Sequence, residues 1–599
     1  MPSEDFFLDH GRTSLNFINT HTFPQMFPFS NLDDPNDAAE AVTLALEIAS
    51  DSSSRSLYSL GPHPALLLRI LGWVWNLPRN SSSEGLRRLV AQWAHDTAEK
   101  YEGTHFGFLW KVTSAAVSIP GINFSYEPVP AETVAQSHYW RLKASGSSEA
   151  SVLEKYLNEV GLGLAGERPL KVNSNIRDVA IVCQRGQNPA ESVKYGSLRA
   201  TIELGRNLMK AGINVVVTGH GPQGLGFNDG GLYVAVPSKH HVARVVKLLE
   251  PLDLLVGISR GDILVIGKAR RYLIYHHNAS PVDVYSLRCA LNAQDVPVVT
   301  VSEASKGMQQ SSGIRSDLLK VVPNGVDNRV FNIACDDIRL SHSLIYAAHV
   351  VGTKGFDTAL KAFKIIKEHF PAASFDAYGK VFSPPNLDLS LMDPGWLSSD
   401  GYPCWEVIEA DLPGFRYGGE VTQAVLAEAF RQHSFLVLPA TLPEPLNLVC
   451  LEAQACGCIP VLPRLGGFPE TMLENVTGYL YDENTSEGLA AKILELWSQD
   501  LPTESQRIEA AQWVKQTFSW ERTGRAMMEL IESLPIKENG AKIPWKGFLR
   551  QLANIEREAS RFGRGARFAV STLKGKPPSQ WPRFVNNLWK EYGRRRQHY

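Results

Sequence analysis

Leu438–Gly478 reads LPATLPEPLNLVCLEAQACGCIPVLPRLGGFPETMLENVTG, with Glu444 and Glu452 separated by seven residues. An apolar run, Phe435–Pro439, precedes the first carboxylate, and a helix is expected to begin near Pro445 or Leu446, where proline suits the first turn. The unpaired N–H groups and positive dipole end of such a helix face the loop and make a seat for an anionic group such as a diphosphate. Glu444 then stands at the helix mouth and Glu452 about two turns further on, so the two carboxylates hold different parts of one ligand. A second apolar run, Cys458–Leu462, leads into a loop containing Gly466, Gly467 and Glu470, where missing side chains let backbone approach a ligand closely.

Outward from this segment the same alternation repeats. Leu344–Ala347, the helix-period stretch Phe356–Glu368, and Ser374–Tyr378 precede it. Val179–Cys183, a helix through Leu198–Lys210, and Asn214–Thr218 open an earlier series. Short apolar runs alternating with longer amphipathic segments imply parallel sheets flanked by helices. Two such series predict an α/β fold of two Rossmann-like lobes, and ligands of open parallel sheets bind beyond the carboxyl ends of the strands, here in the cleft between the lobes.

Composition bounds the rest. At 599 residues the chain exceeds one hydrophobic core, and 44% apolar against 20% charged residues excludes wholesale disorder. A formal net charge of −2 gives no field for gathering nucleic acid, so none is expected as a partner. Seven cysteines, an odd number, suit a reducing compartment. The start, MPSEDFFLDH, lacks the basic-then-apolar order of a secretory signal, and Ala65–Trp75 is interrupted by Arg69 and too short to span a bilayer, so cytoplasmic residence is predicted.

The double-glutamate segment, its small-residue turn and its Gly-Gly loop resemble glycosyltransferase family 4 (glycosyl transferases group 1), enzymes of the GT-B fold. The resemblance implies that Glu452 holds the ribose hydroxyls of a nucleotide and Glu444 a hydroxyl of the donor sugar, with the amides of Leu446, Asn447 and Leu448 on sugar and phosphates. Asn447 stands where the family commonly has glycine; asparagine also tolerates the left-handed backbone. VPNGVD at Val322–Asp327 matches the family's closing segment of the first lobe. Lys354, before Gly355, falls where the family directs a lysine at the donor diphosphate. His349 occupies the position of the accompanying arginine, with one N–H donor when neutral in place of a charged fork. In the first lobe, His276 and His277 end the strand Tyr272–Tyr275, where the family has a histidine close to sugar and acceptor; the strand end favours His276. Gly196 and Ser197, before a helix, match the family's glycine-rich turn on the acceptor side, with serine for the second glycine. Ser302 and Glu303 follow the strand Val298–Val301 and are assigned no chemical role.

The implied activity is retaining hexosyl transfer from a nucleoside-diphosphate-sugar co-substrate to a hydroxyl acceptor, with no other cofactor and no metal. Two further readings are a catalytically weakened nucleotide-sugar-binding or scaffolding protein, suggested by His349, and another GT-B enzyme such as an epimerase or phosphorylase. The expected domains are an accessory, mostly helical region over 1–172, an acceptor-side lobe over 173–335, a nucleotide-sugar-binding lobe over 336–535, and a basic tail over 536–599. From Ala541 the tail carries fourteen Lys and Arg against three acids, with Trp581, Phe584 and Trp589 among them. Such a segment fits peripheral contact with an anionic membrane surface.

Overall fold

The computed structural model describes residues 35–50, 62–124, 176–190, 196–228, 231–333, 339–382 and 392–538, together with isolated positions within 139–158, at 387 and 389, and within 549–553. Two stretches whose sequence reads as connectors, 146–150 and 161–175, fall almost entirely outside the described residues, as do Trp581, Phe584, Trp589 and most of the basic tail.

The first lobe contains an eight-stranded sheet: β1 (Asp178–Val182), β2 (Asn214–His220), β3 (Gly224–Asn228), β4 (Gly231–Val236), β5 (Leu252–Ile258), β6 (Ala269–His276), β7 (Val298–Thr300) and β8 (Leu319–Val321), in the order β3-β4-β2-β1-β5-β6-β7-β8. All pairs are parallel except β3 with β4. Continuous apolar runs suit a sheet covered on both faces, with alternate residues serving opposite sides. Val179 and Ile181 accordingly join a cluster with Leu198 and Leu208 of the helix Gly196–Lys210. Ala180 and Val182 join a different one with Val245 of the helix Lys239–Leu248 and with Val42, Leu71, Val90 and Trp110. Those last four come from the helices Pro35–Ser50, Pro62–Asn76, Ser81–Lys100 and His105–Val117. The N-terminal helices thus share a hydrophobic core with one face of the first sheet.

The second lobe has six parallel strands: β9 (Ser343–Ala347), β10 (Ser374–Tyr378), β11 (Phe415–Gly419), β12 (Phe435–Val437), β13 (Ile459–Pro463) and β14 (Tyr479–Tyr481), ordered β11-β10-β9-β12-β13-β14. After it the chain returns to the first lobe. The amide of Val326 donates to Phe518 O at 2.8 Å, and Thr523, on the helix Trp520–Ser533, donates its hydroxyl to Pro323 O at 2.7 Å. The VPNGVD segment is therefore both the end of the first lobe and the anchor of the returning chain. Two parallel-sheet lobes facing a cleft are the GT-B architecture. Among the described residues no helix is long and apolar enough to cross a membrane.

Candidate functional site

The carboxyl ends of both sheets face a cavity of about 1300 Å³ whose wall includes His277, Arg199, His349, Lys354, Glu444 and Glu452. Lys354 follows β9 through a single turn of 3-10 helix, Gly352–Lys354. Gly355 then adopts φ +71°, a left-handed conformation, and any Cβ there would collide with the carbonyl of Pro439, so the Lys-Gly pair is fixed by close packing beneath the cavity. The buried Tyr346 donates its hydroxyl to His349 O at 2.8 Å, fastening the same loop from below.

Lys354 Nζ lies 2.5 Å from Glu444 Oε1, with the two side chains 27% and 14% exposed. A partly buried cation and carboxylate in contact hold each other in place while leaving the ammonium's other protons for a ligand. His349 lies beside them, its ring edge-on to Phe382 with centroids 4.9 Å apart. Burial, and then the charge of Lys354, hold its imidazole below the ordinary histidine range, so it is neutral at pH 7.

The helix begins later than the sequence predicts. It spans Leu448–Ala455, because Asn447 caps it, its side chain accepting from Val449 N at 3.0 Å. Asn447 has φ −92° and ψ 108°, so asparagine stands there as a cap and not for a left-handed backbone. Leu446, Asn447 and Leu448 all line the cavity.

The Gly-Gly loop has a different place from the one expected. Neither Gly466 nor Gly467 belongs to the cavity wall. Gly466, at φ +57°, would bring a Cβ to 2.6 Å from Glu444 O, and a Cβ at Gly467 would collide with Pro445 O. Gly467 N also donates to Glu444 O at 2.7 Å. The backbone these glycines admit is that of the Glu444 loop, which they support from behind.

Of the histidine pair, the structure puts His277 in the cavity wall and His276 in the core. His276 is 1% exposed, its Nε2 lies 2.8 Å from Ser280 O, and burial lowers its pKa to about 4. Successive residues of an extended chain point to opposite sides, so favouring His276 at the strand end selects the wrong face. His277 packs at a tilt of 56° against Tyr275 with ring centroids 4.1 Å apart, its backbone N donates to Ser259 Oγ at 3.0 Å, and its ring nitrogens lie near Asn324 without a hydrogen bond of good geometry. Asn324 is itself held by the Tyr275 hydroxyl at 2.6 Å. Burial, and then the adjacent His276, lower the His277 pKa to about 3. Gly196 and Ser197 line the first-lobe side, and Ser197 Oγ accepts from Gln187 Nε2 at 2.6 Å.

Three contacts between the lobes have no counterpart in the sequence reading. Arg199, in the first turn of the helix Gly196–Lys210, pairs with Glu452. Ser302, assigned no role from sequence, donates its hydroxyl to Pro445 O. Glu470 accepts from the amides of Glu303 and Ala304, both at 2.7 Å, at the start of the helix Glu303–Ser311. The signal for the last is a carboxylate five residues after Leu465 and a helix N-terminus in the opposite lobe, which only the three-dimensional arrangement brings together.

Residues 341–514, which include the second sheet, match the family model described as Glycosyl transferases group 1. A D-inositol 3-phosphate glycosyltransferase of Corynebacterium urealyticum is 37% identical over 254 residues, 40% of this chain and 57% of that protein. One of Arthrobacter sp. (strain FB24) is 27% identical over 223 residues, 36% and 49% respectively. The chain spans about half the length of these curated relatives. Among solved structures, HepE of Anabaena in complex with UDP superposes with a TM-score of 0.48 at 16% identity, over 60% of this chain and all of that one.

Proposed function

We propose that the protein is a retaining, metal-independent glycosyltransferase that moves a hexose from a nucleoside-diphosphate sugar to a hydroxyl acceptor. The observation that carries this reading is the convergence, in one cavity between the lobes, of Lys354, Glu444 and the start of the helix Leu448–Ala455. The family match of the second lobe and the glycosyltransferase names of the relatives support the glycosyl-transfer part of this reading.

In this reading Glu452 takes the ribose hydroxyls, Glu444 a sugar hydroxyl, and the amides of Leu446, Asn447 and Leu448 the sugar and phosphates. The acceptor oxygen bonds to the anomeric carbon on the face from which the diphosphate departs; the bond from that carbon to the β-phosphate oxygen breaks, and the acceptor proton passes to the departing phosphate. Negative charge grows on that phosphate, and Lys354 and the helix start stabilise it where it develops. His277 lines the sugar side with a neutral ring whose nitrogens, buried near Asn324 without a hydrogen bond of good geometry, can turn to accept or donate a hydrogen bond to a bound sugar. The basic tail brings the enzyme to an anionic surface; liposome flotation that is equal with and without residues 541–599 overturns that part.

A thermal-shift and hydrolysis screen against a panel of nucleotide sugars tests the central reading. One donor should raise Tm and be slowly hydrolysed, both effects being lost in Glu444→Ala. No response to any donor overturns it. Stabilisation without hydrolysis or transfer, whatever acceptor is supplied, favours the second reading, a donor-binding scaffold in which His349 fails to replace an arginine.

A further inference from the structure

Glu452, to which the proposed function gives the ribose, is already occupied from the opposite lobe. Arg199 Nη1 bonds to its Oε1. The residues are 253 apart in sequence, and both are nearly buried, Arg199 at 8% and Glu452 at 6% exposure. Arg199 lies over the Phe331 ring at 5.7 Å, and its Nη2 has no hydrogen-bond partner. Both residues line the cavity.

Charges this deep are held where they are because each is the other's partner; removing one leaves the other buried and uncompensated. A structural ion pair normally ties elements that never separate. This one ties two lobes whose cleft must admit a ligand, and one of its two charges is the group assigned to hold that ligand. The two other polar contacts named above differ in kind: Ser302 to Pro445 and Glu470 to the amides of Glu303 and Ala304 engage backbone and leave Lys354, Glu444 and Glu452 out. Parting the lobes returns both charges to water, so the solvation regained offsets part of the attraction lost, a balance that a ligand can shift.

We propose that Arg199 is a residue of the donor site contributed by the first lobe: without donor it pairs with Glu452 and holds the cleft shut, and the ribose hydroxyls of a bound nucleoside diphosphate displace it. This rests on the donor reading of Glu452. Only the fraction of molecules with the pair broken then binds donor, so removing the guanidinium improves affinity.

The test uses the full chain and two readouts. Small-angle scattering without nucleotide reads lobe closure, and calorimetry with UDP, GDP and ADP reads binding. Arg199→Met should scatter as a more open molecule and bind its preferred nucleotide about five- to tenfold more tightly than wild type, within the usual range of coupling between sites. Arg199→Glu combined with Glu452→Arg should restore the closed scattering profile, and circular dichroism confirms that each variant is folded. An Arg199→Met protein as closed as wild type overturns the proposal. So does weaker nucleotide binding by that variant, which makes Arg199 a support that orients Glu452. Opening without nucleotide binding by either protein overturns the displacement together with the donor reading, while leaving the pair as the closure of the cleft.

Discussion

The two lobes hold their cleft residues in different ways. In the second lobe, Lys354, Glu444 and the start of the helix Leu448–Ala455 sit on loops that leave β9 and β12, neighbouring strands of one sheet. Each is braced by residues close to it or in the adjacent loop: Gly355 under Pro439, Gly467 under Pro445. In the first lobe, His277 and Arg199 come from loops and helices far apart in sequence, and Arg199 meets its partner only across the cleft. A site built from local segments tolerates lobe movement, whereas one built across the cleft is remade whenever the lobes move.

This difference sets where mutation costs most. Lys354→Ala removes a fixed charge from the place where the departing diphosphate becomes more negative. It should lower kcat/KM by about 100- to 1000-fold, comparable to losing one preorganised donor at a developing anion. Steady-state transfer assays check this, and a loss below tenfold moves the charge-stabilising role away from Lys354.

The first lobe is sharpened by the adjacent histidines. His277→Ala should reduce kcat/KM by about 100-fold with donor affinity unchanged, the lower end of the usual range for a single positioned acid or base. His276→Ala should instead act on stability, costing roughly 1–3 kcal/mol through the lost hydrogen bond and the cavity beside Ser280. Denaturant titration and kinetics on both variants separate the roles. The reverse pattern would return the cleft position to His276.

Much of the second lobe was legible because its signals are local. The strands fall within a residue or two of the apolar runs, as Ser374–Tyr378 and Ser343–Ala347 show, and Glu444, Glu452 and Lys354 reach the cavity. The functions of Asn447 and of the glycines were not legible, since a cap and a buttress depend on which backbone lies behind them. Arg199 and Glu470 were out of reach for a stronger reason: each partner belongs to the other lobe, and no periodicity within a segment encodes that apposition. A cation beside the Gly196–Ser197 turn, on a helix otherwise rich in buried apolar residues, was the one available hint.

The buttress gives a smaller effect within the second lobe itself. Gly467→Ala places a Cβ against Pro445 O, so either the loop or the chain behind it must shift. We expect a loss of roughly 1–3 kcal/mol in stability, as for overpacking elsewhere, with donor Kd raised because the Glu444 loop moves. Thermal denaturation and calorimetry check the two parts. Unchanged Tm and Kd would show that the loop yields freely and that the glycines do not position Glu444.

The smallest effect concerns His349, where the second lobe departs from the arginine that its resemblance leads one to expect. Burial and the charges of Lys354 and Lys380 keep its imidazole neutral at pH 7, while Glu420 opposes them. A bound diphosphate favours the charged ring, so donor binding takes up a proton and affinity should rise as pH falls toward and below the ordinary histidine value of about 6.5. Glu452 acts in the opposite direction, because burial raises its pKa and protonation removes an acceptor for the ribose. Comparing wild type with His349→Gln isolates the imidazole, since glutamine keeps a polar donor and cannot become charged. Between about pH 7.5 and pH 5.5 the wild type should gain a few-fold in donor affinity relative to the variant, a fraction of the effect at Lys354 and one that added salt weakens. Parallel pH profiles would mean that His349 does not face the diphosphate, leaving Lys354, Lys380 and the helix start as sources of positive charge on the second-lobe side of the cavity.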